Sequence, residues 1–240
     1  MVDDTSIGGA ARDFPETRWT LVRSASQSPE ARAAALEQLL ATYWKPIYHY
    51  VRRKGRTVED AKDVVQAFCA HLLDRDFLPR LDPGKGRFRS YLRAAVDHFL
   101  INEHEKAAAR KRGGGAKLLS LDVEAAERTM GEADEEPGRA FDRAWAAEIM
   151  GRSLARLRVE FSDGTRGGPF ELVAEFFGAG DAPSYADAAK RHAMSPSQLK
   201  AFLHRARERF REIAREEVRQ TVASAGDEDS EMTQLFEALR

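Results

Sequence analysis

Residues 184–207 constrain the fold more than any other stretch of the chain. Ser184-Tyr-Ala-Asp187 sets a hydroxyl at a helix start and an acid three residues on, the reciprocal arrangement of a capping box. Ala188 and Ala189 keep the packing face of that short helix small. After His192-Ala193-Met194, the run Ser195-Pro196-Ser197-Gln198 supplies an N-cap, a proline at the first helical position and a glutamine that can reach back to the cap. Leu199, Leu203 and Phe210 then stripe a long basic helix. A short helix, a tight turn and a long basic helix make a helix-turn-helix, whose second helix can enter a major groove. Ala193 holds the turn position where glycine is usual, which predicts a slightly altered turn.

The rest of the chain is helical in pattern too. It has 38 Ala and 20 Leu against 5 Ile and 12 Val, a balance that favours helices over sheets and predicts an all-α fold. Trp19, Leu21 and Val22 open a short helix. From Ala31 to Arg53 the positions Leu36, Leu39, Leu40, Tyr43, Trp44, Ile47, Tyr48 and Val51 recur at helical spacing, with Pro46 expected to split them into two helices. Thr57-Val-Glu-Asp60 starts a helix striped by Ala61, Val64, Val65, Phe68 and Leu72, with Asp60 and Asp63 off the stripe. Phe88 to Arg112 buries Phe88, Tyr91, Leu92, Ala95 and Phe99 and turns Arg89, Arg93, His98 and Asn102 elsewhere. Further on, Phe141 to Phe161 is amphipathic through Trp145, Ile149, Leu154 and Leu157, and a shorter helix spans Phe170 to Phe177. A single cysteine, Cys69, excludes a disulfide scaffold and a cysteine-rich zinc site. Neither an apolar run of membrane-spanning length nor a basic-then-apolar leader is present, so the expectation is a soluble cytoplasmic protein without membrane insertion.

Net charge is only −1, but its distribution is uneven. From Gly84 to Gly115 eight bases face three acids, and from Lys190 to Arg219 nine bases face four. From Ser120 to Glu136 seven acids face one base. Basic blocks are either the footprint of a phosphate-backbone partner or solvated helix faces. The acidic stretch, preceded by Gly113-Gly114-Gly115 and poor in large apolar residues, reads as a flexible linker over 113–139. It divides the chain into a first module (14–112) and a second (140–223), followed by an acidic tail (224–240). In the tail, Met232, Leu235, Phe236 and Leu239 predict a short amphipathic helix. Such a helix either rests on the second module, stays disordered, or sets its acids against the basic faces in competition with DNA.

Three segments in this order resemble the small two-domain sigma factors of bacterial RNA polymerase, the extracytoplasmic-function (group four) type of the sigma-70 family. They are Asp60-Ala-Lys-Asp-Val-Val-Gln66; Phe88-Arg-Ser-Tyr-Leu-Arg93, running into the basic helix; and Ser184-Tyr-Ala-Asp-Ala-Ala189 through Leu203-His-Arg-Ala-Arg207. The resemblance implies that 14–112 is a region-two-like domain, which binds core polymerase and the start-proximal promoter element, and that 140–223 is a region-four-like helix-turn-helix domain. It implies polymerase docking through Asp60, Asp63, Val64 and Gln66; an exposed acid and amide surface suits a partner's arginines. Lys62 and Ala67 stand where the family often has acids, and Asp60 has a competing role as a capping acid. It implies strand capture by Arg87, Arg89, Arg93, His98, Asn102, Arg110, Lys111 and Arg112, the bases for phosphates, His98 and Asn102 for unstacked nucleobases. It implies upstream-element reading by Ser197, Gln198, Lys200, Ala201, His204, Arg205 and Arg207, with Arg207, Arg209 and Arg211 toward phosphates. Gln198 has a competing role as capping partner. The implied partners are core RNA polymerase and promoter DNA, with room for an anti-sigma factor or another regulator. No cofactor is implied.

An enzyme is not expected: the six histidines form no metal-binding pair with a following glutamate, and the glycine run follows a basic helix, not a strand. The rival reading is a helix-turn-helix regulator that acts without being a polymerase subunit. The acidic helix at Asp60 to Gln66 and the second basic block argue against it.

Overall fold

The computed structural model describes residues 28–72, 88–109, 121–162, 169–177, 182–222 and 225–240. These carry α1 (Pro29–Arg53), α2 (Val58–Leu72), α3 (Phe88–Ala109), α4 (Val123–Arg128), α5 (Pro137–Ser162), α6 (Phe170–Phe177), α7 (Tyr185–Arg191), α8 (Pro196–Arg219), a 3-10 turn (Ala225–Asp227) and α9 (Glu228–Ala238). The described residues contain no strand, as the Ala and Leu balance predicts. No helix among them is long and apolar enough to cross a membrane. The expected helix at Trp19 lies outside the described residues.

Two apolar clusters share one long helix. The first half of α5 sends Phe141, Trp145, Ala146 and Ile149 into a core with Tyr43, Ile47 and Val51 of α1, Val65 and Phe68 of α2, and Phe88, Leu92 and Val96 of α3. Its second half sends Leu157 and Phe161 into another, with Leu172 and Val173 of α6, Ala188 and Ala189 of α7, and Leu199, Phe202 and Leu203 of α8. Packing is therefore continuous along α5 across residue 140.

Pro46 does not divide α1, contrary to the expectation of two helices. Proline removes the bond its nitrogen would donate to the carbonyl four residues back and costs about 3 kcal/mol inside a helix. Tyr43, Ile47, Tyr48 and Val51 around it are all buried against neighbouring helices, and fixing those side chains outweighs the lost bond.

The acidic stretch expected as a flexible linker holds, over its described part, a helix docked on α1. Asp122 caps α4 by accepting from the Ala125 N–H at 2.9 Å, and Ala126 is fully buried. The contact is mostly polar. The Tyr48 hydroxyl donates to Glu127 Oε1 (2.7 Å), Arg52 Nε donates to the same oxygen (2.8 Å), and His49 Nε2 bonds the Ala126 carbonyl (2.9 Å). Arg53 donates to the carbonyls of Gly131 and Ala133, and Arg143 reaches back from α5 to the Thr129 carbonyl and both oxygens of Glu135.

His49 makes this docking sensitive to pH. Burial drives its pKa down from 6.5 to about 4, opposed by the bond to Ala126. Glu127 and Glu135 favour its charged form and Arg143 disfavours it. The folded protein thus keeps His49 neutral where the unfolded chain protonates it. The stability it contributes is complete above about pH 6.5 and is lost as pH falls toward 4, reaching about 3 kcal/mol at roughly 1.4 kcal/mol per pH unit. Urea denaturation from pH 7.5 to 4.5 should show wild type losing stability faster than His49→Gln; parallel curves would remove His49 from the account.

Candidate polymerase and nucleic-acid interface

The first candidate surface is α2. Thr57 Oγ1 accepts from the Asp60 N–H at 3.1 Å, as a cap should, and Ala61, Val65, Phe68, Cys69 and Leu72 are buried beneath the helix. Asp60 and Asp63 are exposed together on the outer face, with Lys62 beside them. Val64 is half-buried against the core, and Gln66, expected on the exposed face, is half-buried as well. Its Nε2 is buried with no hydrogen-bond partner among the described residues. The outer face therefore presents the two aspartates more fully than the amide. Desolvation pushes the Cys69 thiol up to about 12, so it stays protonated at neutral pH.

The second surface is α3. His98 and Asn102, four residues apart, are both exposed. Arg93 is half-buried, its Nη1 3.4 Å from Asp142 Oδ2 and 3.5 Å from the Gly138 carbonyl of α5. Arg89 lies deeper, only 3% exposed. Its Nη1 donates to Asp142 Oδ1 (2.5 Å) and its Nε and Nη2 grip both oxygens of Glu231 (2.7 and 3.1 Å). Nη2 also bonds Gln234, and the guanidinium carbon sits 4.5 Å from the Trp145 ring centroid. Burial alone would lower the pKa of Arg89; the bonds from Glu231 and the charge of Asp142 outweigh it and hold it above its usual range. Arg87, Arg110, Lys111 and Arg112 lie outside the described residues.

The third surface is the α7–α8 unit, built by its caps. Ser184 Oγ accepts from the Asp187 N–H, and at Ser195 both halves of the capping box are present: Oγ accepts from Gln198 N–H (3.2 Å) while Gln198 Oε1 accepts from Ser195 N–H (2.8 Å). Ala193 lies at φ 52°, the left-handed turn conformation that glycine adopts more readily. On the first turns of α8, Ser197, Gln198, Lys200, Ala201, His204 and Arg205 are all exposed, and Arg207 is half-buried. Gln198 is occupied as a cap, Ser197 Oγ lies 3.0 Å from Ser195 Oγ, and the Lys200 ammonium sits 5.9 Å from the Tyr185 ring. Arg209, expected toward phosphates, turns inward to both oxygens of Glu160 on α5 (2.8 Å each), and that pairing raises its pKa. Arg211 stays exposed beside Glu208.

The structure thus places the three candidate surfaces on separate helices of one all-α scaffold. Residues 39–110, under a third of the chain, match the family model described as Sigma-70 region 2. They take in most of α1 and all of α2 and α3, so two of the three surfaces belong to that segment. The match supports a sigma-70 family role in transcription initiation, with core RNA polymerase and promoter DNA as partners. No curated protein and no solved structure matches the chain.

Sequence reasoning missed the inward turn of Arg89. The signal was there: Arg89, Leu92, Val96 and Phe99 recur at i, i+3, i+7 and i+10, which sets the arginine on the buried face.

Proposed function

We propose that this chain is a sigma factor of the extracytoplasmic-function type, bringing core RNA polymerase to a subset of promoters. The observation that carries the reading is the exposed Asp60 and Asp63 pair on α2, within the segment similar to sigma-70 region 2. In this reading residues 14–112 dock on the polymerase through α2 and hold the opened start-proximal strand along α3, with His98 and Asn102 toward bases. Residues 140–223 read the upstream element with the first turns of α8. Catalysis of RNA synthesis belongs to the polymerase, and the chain acts in the cytoplasm, on the nucleoid when bound to the enzyme.

Run-off transcription with added core polymerase on fragments of the source genome tests this directly. Discrete transcripts that depend on the chain are the expected result. DNA binding of equal strength and specificity with and without core enzyme, and no transcript, would move the chain to the helix-turn-helix regulators.

Within α8 the two classes of arginine should separate. Arg205→Ala should weaken upstream-element recognition by about 1–3 kcal/mol, the range for one good base contact. Arg211→Ala should lower affinity for all sequences alike and flatten the salt dependence by about one. Electrophoretic mobility shifts on specific and random duplexes distinguish them; equal loss on both for Arg205→Ala would put that residue among the phosphate contacts.

A further inference from the structure

The C-terminal helix α9 holds the basic faces of two other helices at once. Glu228, 7% exposed, accepts from Arg219 Nε (2.7 Å) and from Arg215 of α8, and Asp229 accepts from Arg215 Nη1 (2.7 Å). One turn on, Glu231 is 1% exposed and takes the Nε and Nη2 edge of Arg89 on α3. Gln234 adds a further bond to the same guanidinium. On the same side of α9, Met232 and Leu235 are buried in the core that holds Trp145 and Val218. The helix is thus held by charge along its first two turns, with the apolar contacts of Met232 and Leu235 alongside.

From this we propose that α9 is an autoinhibitory strap. It occupies the arginine that would bind the DNA strand and ties α8 to α3 until core polymerase is bound. The inference rests on the sigma-factor reading above. A carboxylate gripping the Nε and Nη2 edge of arginine uses the same fork that a phosphodiester would, so Glu231 and a DNA phosphate are exclusive occupants of that edge of Arg89, while its Nη1 stays on Asp142 of α5. The grip is exchangeable because both ions have been taken out of water, and that loss offsets much of their attraction. Charge alone does not free it, since releasing Glu231 also uncovers Met232 and Leu235. Weakening the charge shifts the balance part of the way, and full release is left to a partner that favours the open arrangement.

The test uses the full chain, a labelled fork-junction DNA and fluorescence anisotropy, with and without core RNA polymerase. Glu228→Gln with Glu231→Gln keeps shape and removes charge. Without polymerase, this variant should bind the DNA about tenfold more tightly than wild type, the equilibrium worth of one charge-assisted bond regained. Its salt slope should steepen by about one per arginine freed. With polymerase, variant and wild type should bind alike. Equal affinity of the two free proteins, with circular dichroism showing the variant folded, overturns the strap.

Hydrogen exchange on the wild type supplies a readout that needs no variant. The α9 amides should be protected in the free chain and exchange faster once core polymerase is bound. Protection unchanged on a chain that does bind polymerase overturns the strap and leaves the sigma-factor reading standing; failure of wild type to bind polymerase at all overturns both.

Discussion

Reversing the charge at Asp63 should leave the fold as stable as before and strip the chain of capture by core RNA polymerase. Asp63 is exposed on α2, while the apolar face of that helix is buried through Ala61, Val65, Phe68 and Leu72. An arginine there meets solvent in the free protein, and surface substitutions of this kind usually stay within about 0.5 kcal/mol. Against a basic partner the consequence is different. A like charge facing the partner's arginines costs several kcal/mol, and losing a paired charge at an interface costs about 2–5 kcal/mol, so affinity should fall at least 30-fold. The neighbourhood sets the size of the effect: Lys62 already contributes a positive charge to the face and Gln66 is turned partly inward, so the acidic character rests on Glu59, Asp60 and Asp63, of which the reversal removes one and opposes the others. Titration of labelled chain with core enzyme, together with thermal unfolding of both proteins, checks the two halves. Affinity within threefold of wild type, at equal melting temperature, would put the docking face elsewhere.

Much of the architecture could be read from local chemistry, because local chemistry made it. The caps at Ser184 and Ser195 form between residues three apart, and Thr57 caps α2 in the same way. Long-range partnerships left weaker marks. The stretch around α4 looked like a linker because it lacks large apolar residues, yet its docking runs through Tyr48, His49, Arg52 and Arg53 bonding a carboxylate and backbone carbonyls some 75–80 residues away. A small side chain, Ala126, lets α4 come close enough for those bonds. Counting apolar residues cannot register that kind of contact. The arginines show the same limit in the candidate site. Arg205 and Arg209 stand one turn apart on a basic helix, but the first is exposed and the second is held by Glu160 of α5, a partner 49 residues earlier. Arg89 differs from its neighbours for the same reason, its partners lying 53 and 142 residues along the chain.

The largest effect on stability should follow Trp145→Ala. Trp145 is fully buried at the point where α1, α3, α5, α8 and α9 converge, sharing its cluster with Tyr43, Phe88, Val218 and Leu235. Removing the indole leaves a cavity that helices pinned on several sides cannot close, at about 3–5 kcal/mol. It also withdraws the ring beneath Arg89, whose guanidinium carbon lies 4.5 Å from its centroid. Set against a typical total of roughly 5–15 kcal/mol, the loss is a large share of the stability. Because α5 continues unbroken from this cluster into the one around Leu157 and Phe161, the loss should pass along it. Urea unfolding should therefore shift to a lower midpoint for both halves together, at unchanged slope. Trp145→Phe should recover most of the stability, since it keeps an aromatic ring and removes an indole N–H that has no partner among the described residues. Val159→Ala, on the same helix but 72% exposed, should change stability by less than about 0.5 kcal/mol. A loss below about 1 kcal/mol for Trp145→Ala would mean that the first half of α5 does not rest on α1. Two separate transitions would mean instead that the helix does not couple the clusters.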